Sequence, residues 1–182
     1  MSGVPLVIDT DGWLCAARRV PSPNFDARAD GVCVDMVVLH NISLPPGEFG
    51  GEDIERLFTN TLDCTMQPFY TGLRDLRVSA HFLLRRDGEL VQFVSCHDRA
   101  WHAGVSHWQG RERCNDFSIG IELEGSDYVP FTDAQYLKLD ALLNALQRSY
   151  PIQSLVGHND IAPQRKTDPG PFFDWKRVAE SR

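Results

Sequence analysis

Short apolar runs separated by turn-forming residues make up most of the chain, and their periods predict a mixed α/β pattern. Val32–Leu39 (VCVDMVVL) is β-branched and apolar on both faces, which predicts a buried central strand delivering His40 at its carboxyl end. Asn41–Gly51 is turn-rich and reads as loop, and a short amphipathic helix follows over Asp53–Thr59. Cys64–Arg77 has no periodicity and reads as a long surface connection. Ser79–Arg86 and Glu89–Ser95 form two strands joined at Asp87-Gly88, a hairpin dipeptide. Ser118–Glu124 alternates, with Ile119, Ile121 and Leu123 on one face and Ser118, Gly120, Glu122 and Glu124 on the other. Thr132 and Gln135 make a capping box ahead of an apolar stripe at helical spacing: Tyr136, Leu139, Leu143, Leu146 and Tyr150. Pro151 ends that helix. Ser154–Gly157 is a short strand leading into His158, followed by a Pro/Gly-rich loop over Ile161–Pro171 and a last amphipathic turn from Asp174. Strands mixed with one long helix and several short ones predict a single α/β domain over residues 1–182.

Composition narrows the partners. The 18 basic and 25 acidic side chains leave a net charge of −7, and no basic stripe offsets it, so a nucleic-acid partner is not expected. No run approaches the ~18 apolar residues of a membrane span. The amino end, MSGVPLVIDTDGW, has no basic n-region; Val4–Ile8 is too short for an apolar signal core, and Asp9 and Asp11 follow at once. The five cysteines are odd in number, scattered and without a CxxC pair, which reads as free thiols in a reducing compartment. A cytoplasmic protein, taken as a monomer, with no membrane or nucleic-acid partner is the expectation.

Candidate chemistry sits at the strand ends. His40 and His158 each close a short apolar strand, where α/β folds hand the chain to site-bearing loops. Asp168 lies ten residues beyond His158 in a loop stiffened by Pro163, Pro169 and Pro171. Two histidines and a carboxylate with an open fourth position make a catalytic zinc arrangement, although a loop Asp also serves as a cap. Neither HExxH, nor the HxE…PCxxC of zinc deaminases, nor a GxSxG elbow occurs. Glu122 is a carboxylate inside an apolar strand with Gly120 beside it on the same face, so it is paired, solvated or used as a base. Lys166, two residues before Asp168, is either solvated or placed to meet a developing oxyanion. Trp101-His102-Ala103-Gly104 offers a stacking surface, and Arg77, Arg111, Arg113 and Arg165 could fork onto carboxylates or form surface ion pairs.

Four segments carry a resemblance: VVLHNISLPPGEFGG, RVSAHFLLRRDGELVQFV, RAWHAGVSHWQGRERCNDFSIGIELEG and GHNDIAPQRKTDPGPFFDW. In order and content they resemble the zinc N-acetylmuramoyl-L-alanine amidases, relatives of a phage lysozyme and of the peptidoglycan-recognition proteins. Within that group they resemble the cytoplasmic branch acting on 1,6-anhydro-muropeptides. The similarity runs from Gly12 to Trp175. It implies a central mixed β-sheet flanked by helices, with a Zn²⁺ site at one sheet edge held by His40, His158 and Asp168. It also implies Glu122 and Lys166 as catalytic groups, and Asn41, Arg77, Trp101 and Arg113 as substrate contacts. The implied reaction is hydrolysis of the amide between a muramyl lactyl group and L-alanine, in wall recycling and indirectly in control of β-lactamase induction. Two alternatives stand beside it: a non-catalytic peptidoglycan-recognition module, and an amidase of polymeric wall.

Overall fold

A computed structural model of the chain describes residues 5–179; Met1–Val4 and Glu180–Arg182, and with them the start of the amino-terminal reading and the ends of the expected domain, lie outside the described residues. Among the described residues the main sheet has six strands: β1 (Arg18–Arg19), β2 (Met36–Ile42), β3 (Phe82–Leu84), β4 (Leu90–Gln92), β5 (Ser118–Glu124) and β6 (Ser154–Gly157). Their spatial order is β1-β4-β3-β5-β2-β6, with every pairing parallel except the β3–β4 hairpin, so the sheet is mixed. Two short ribbons, Phe25–Ala27 with Asp98–Ala100 and His107–Trp108 with Arg111–Glu112, lie outside it. None of these four segments has enough residues to show a period.

The long helix α2 (Asp133–Ser149) covers one face of the sheet. Its capping box is present, with the Thr132 hydroxyl accepting from the Gln135 N–H, and Tyr150 is its C-cap ahead of Pro151. Leu139, Leu142 and Leu146 are fully buried against Val37, Leu39, Ile119 and Ile121. Each such side chain contributes about 1.5–3 kcal/mol of burial. The buried stripe is wider than the sequence reading, taking in Leu142, Ala145 and Gln135. Gln135 belongs there because its amide bonds the carbonyls of Leu84 and Glu124. On the opposite face, α1 (Asp53–Phe58) packs Ile54, Leu57 and Phe58 onto Leu83, Val91 and Phe93. Further along that face, Met36 and Val38 meet Ala103, Cys114, Phe117 and Ile161. The functional side chains emerge between these two clusters. Among the described residues, no helix is long and apolar enough to cross a membrane.

Several boundaries differ from expectation, the hairpin strands among them: β3 spans Phe82–Leu84 of the expected Ser79–Arg86, and β4 spans Leu90–Gln92 of Glu89–Ser95. The β2 strand starts at Met36 rather than Val32, because its neighbours begin at Ser118 and Ser154, both in register with Met36. It continues to Ile42, paired with Glu124, so His40 lies inside the strand rather than at its end. The connection after Cys64 contains a 3-10 turn, Pro68–Leu73. It is anchored by one buried ring, Tyr70, whose hydroxyl donates to Asp53 at 2.6 Å, and a single anchor produces no period. The stretch after β6 begins with one turn of helix, α3 (His158–Ile161), and the last turn, α4, spans Lys176–Ala179.

Candidate active site

Sheet register brings the site together. In adjacent parallel strands, His40 is opposite Glu122 and Leu39 is opposite Gly157, so residues far apart in sequence share one face. His158 follows Gly157 directly and opens α3. The Asn159 N–H donates to the Asp168 carbonyl at 2.9 Å, which folds the Pro/Gly-rich loop back toward the sheet. His40 Nδ1, His158 Nδ1 and Asp168 Oδ2 then form a triangle with edges of 2.9, 3.0 and 3.1 Å.

The chemistry of that triangle decides what fits inside it. His158 Nε2 lies 3.0 Å from the Ala103 carbonyl, which can only accept, so Nε2 carries a proton and in the neutral ring Nδ1 presents a lone pair. Asp168 adds another acceptor. A proton at one edge satisfies that edge and leaves the others as lone pairs facing lone pairs. A cation at the centre takes all three. Zinc bonds of 2.0–2.1 Å imply a ligand–ligand edge of about 3.3 Å in a tetrahedron, a few tenths wider than observed. Two imidazoles and one carboxylate are the donor types that zinc favours.

Burial sets the electrostatics. It pushes the His40 imidazole down to about 4, against the opposing pull of Asp168, so this ring is neutral at pH 7. Glu122 goes the other way. Burial first, then the Asp168 charge, raise its carboxyl well above the ordinary value, while Lys166 counteracts them. Its Oε2 is buried with no hydrogen-bond partner among the described residues. A carboxyl in that condition is available to exchange a proton.

These groups line a cavity of about 470 Å³ whose walls also include Asn41, Arg77, Trp101 and Lys166. The structure thus gathers eight of the nine residues expected at the site. The Trp101 indole donates to Asp26 at 3.2 Å, which fixes its ring at the cavity wall. Asn41 donates to Asp127 at 2.7 Å and to the Pro169 carbonyl at 3.0 Å, so its amide hydrogens hold the ligand loop and only its oxygen remains for a ligand. The Arg77 guanidinium rests on the carbonyls of Arg74 and Leu76. Arg113 is the exception. Its backbone is left-handed (φ 58°) and its guanidinium lies 3.3 Å from Asp116, which places it on a neighbouring groove with Val105, Ile161 and Pro163. Arg165 and Gly104 border both spaces, so the groove adjoins the cavity. Sequence reasoning gave His102 and Ala103 only as part of a stacking surface and missed the layer they form with Asn115 and Ser118, in which these residues touch the two histidines or one another. Gly120 within an apolar strand was the available signal, since a Cβ there would fall inside the His102 ring.

Comparison with known proteins gives a consistent answer. A family model described as N-acetylmuramoyl-L-alanine amidase matches residues 30–171. The 1,6-anhydro-N-acetylmuramyl-L-alanine amidase AmpD of Citrobacter freundii is 61% identical over 92% of this chain and 90% of its own length. The Haemophilus influenzae AmpD is 50% identical over 93% and 94%. A crystal structure of a selenomethionine AmpD derivative superposes with a TM-score of 0.94 at 59% identity, covering 96% of this chain and 98% of the other. The Escherichia coli amidase AmiD, solved with the substrate anhydro-N-acetylmuramic acid-L-Ala-D-γ-Glu-L-Lys, superposes with a TM-score of 0.59 at 30% identity, covering 97% and 65%.

Proposed function

Since the chain belongs to the N-acetylmuramoyl-L-alanine amidase family, we propose that it is a zinc enzyme cleaving the amide between 1,6-anhydro-N-acetylmuramic acid and the L-alanine of soluble muropeptides. The observation carrying this reading is the triangle of His40, His158 and Asp168 beside the buried Glu122 Oε2, which has no hydrogen-bond partner among the described residues. A recognition module that only binds has no use for such a carboxyl, whose burial is costly.

His40, His158 and Asp168 would hold the ion, which when bound supplies Lewis acidity at an open fourth position. Glu122 takes the proton from the attacking water and returns it to the departing L-alanine amine. Its raised affinity for protons suits both halves of that exchange. Lys166, on the cavity wall, meets the negative charge that develops on the carbonyl oxygen. Trp101 offers its ring face to the sugar, and Asn41 its free carbonyl oxygen. Arg77 on the cavity wall, and Arg113 on the adjoining groove, would read the carboxylates of the acidic stem peptide. We place the reaction in the cytoplasm, in wall recycling. Five free thiols, two of them exposed, suit a reducing compartment.

Mass spectrometry of the products from anhydro-muramyl tripeptide with zinc-loaded protein tests the reading. Free anhydro-muramic acid and intact tripeptide are expected. Cleavage within the peptide, or release from polymeric sacculi only, would replace it.

A further inference from the structure

We infer that His102 is a positioning residue: it fixes which nitrogen of His40 carries the proton, and with the carbonyl of Ala103 it turns both histidines to face the ion with bare Nδ1 atoms. The inference rests on the zinc reading above and adds residues to it.

The argument is an accounting of protons along one chain of contacts. The Cys114 carbonyl can only accept, and Ser118 Oγ lies 2.6 Å from it, so the single hydroxyl hydrogen is spent there. His102 Nε2, 3.2 Å from Ser118 Oγ, must then donate to that oxygen. A neutral imidazole with its proton on Nε2 has an acceptor at Nδ1. That Nδ1 lies 2.9 Å from His40 Nε2, which therefore carries the His40 proton. His40 Nδ1 is left bare, toward Asp168 and His158. The two rings are nearly perpendicular, at 86°, an edge-on approach suited to an in-plane N–H meeting an in-plane lone pair.

His158 reaches the same condition by a shorter path, through the Ala103 carbonyl. Both paths hang on adjacent residues of one segment. The N–H groups of His102 and Ala103 both donate to Asn115 Oδ1, at 3.2 and 2.8 Å, and Arg165 donates to the Ala103 carbonyl at 2.8 Å. Asn115 belongs to the same 3-10 turn, Cys114–Asp116, that supplies the terminal carbonyl of the relay. Gly120 leaves the space in which the His102 ring lies. Outer partners of this kind usually alter metal affinity by about 10–100-fold. A neutral imidazole in the outer position adds no negative charge, so Asp168 is the anion in contact with the histidine pair.

Two measurements test the relay. Long-range ¹H–¹⁵N spectra of the metal-free wild type should show His40 as its Nε2–H tautomer; the Nδ1–H tautomer would overturn the inference without any variant. Zinc affinity by chelator competition should fall about 10–100-fold in His102→Phe. It should largely return in His102→Gln, whose amide oxygen can accept from His40. Melting in EDTA establishes that each variant is folded. A folded His102→Phe with wild-type zinc affinity would also overturn the inference. Absence of zinc binding by the wild type would instead remove the metal reading, and the His40 tautomer in wild type and His102→Phe would still decide the relay.

Discussion

Acidifying the metal-free protein from pH 7 to pH 4 should destabilise it through buried histidines, and His81 sets a magnitude. Its ring is fully buried. Nδ1 accepts the Gly120 N–H at 3.0 Å, and Nε2 lies 3.1 Å from the Asp98 carbonyl, so the neutral ring satisfies both contacts. A second proton would break the bond to the middle of β5. The Arg28 guanidinium lies 3.2 Å away and adds like charge. Burial first, and Arg28 second, push this imidazole down to about 3. An unfolded chain titrates at about 6.5. A folded value below the unfolded one means stability is complete above pH 6.5 and is lost as pH falls toward 3. Each pH unit inside that window removes about 1.4 kcal/mol per proton, so His81 alone accounts for about 3 kcal/mol by pH 4. That is a large share of the 5–15 kcal/mol typical of a domain. Urea unfolding in EDTA at pH 7, 6, 5 and 4 measures the slope. His81→Gln should flatten it by about 1.4 kcal/mol per pH unit. Equal slopes in wild type and variant would refute the assignment, whatever the variant's absolute stability.

Further expectations concern the site and the thiols. Asp168→Ala should lower zinc content, read by atomic absorption, with the fold retained because the sheet core does not include that loop; full stoichiometry would remove Asp168 from the ligand set. Glu122→Gln should keep zinc and muropeptide affinity and lose about 10²–10⁴ in single-turnover rate, whereas a normal rate would end its assignment as base. Gly120→Ala, which drives a methyl into the His102 ring, should cost about 1–3 kcal/mol in urea unfolding and weaken zinc binding. An unchanged variant would show that the ring has room to move. Thiol labelling of the folded protein should modify exposed Cys15 and Cys33 first and Cys64 more slowly. Buried Cys96, whose thiol burial pushes up to about 12, and buried Cys114 should wait for denaturant; prompt labelling of all five would contradict the packing.

Much of the fold was legible because its determinants are local. The alternation of β5, the capping box of α2 and the Asp87-Gly88 turn are each set by residues within a few positions of one another. The limits of β2 were not legible, since they depend on where Ser118 and Ser154 arrive beside it. The site divides along the same line. Residue types and order pointed to His40, His158, Asp168 and Glu122, but the relay through His102 and Ser118 needs three segments side by side. Arg113 left the cavity because of a left-handed backbone and a nearby Asp116, neither of which has a spacing rule.

The edge position of β6 would tie occupancy of the proposed metal site to the opening of the fold. Among the described residues this strand has a ladder partner on one side only, β2, and edge strands are where a sheet opens at least cost. Yet His158 stands at its end, across from His40 of the interior strand. An ion held by both joins the outermost strand to the centre, and its ligands span 128 residues of chain. Peeling of β6 and release of such an ion would then be coupled. Each tenfold rise in free ion above its dissociation constant makes that excursion about 1.4 kcal/mol harder. The ion that serves hydrolysis would thus also act as a latch on the carboxyl-terminal part of the sheet.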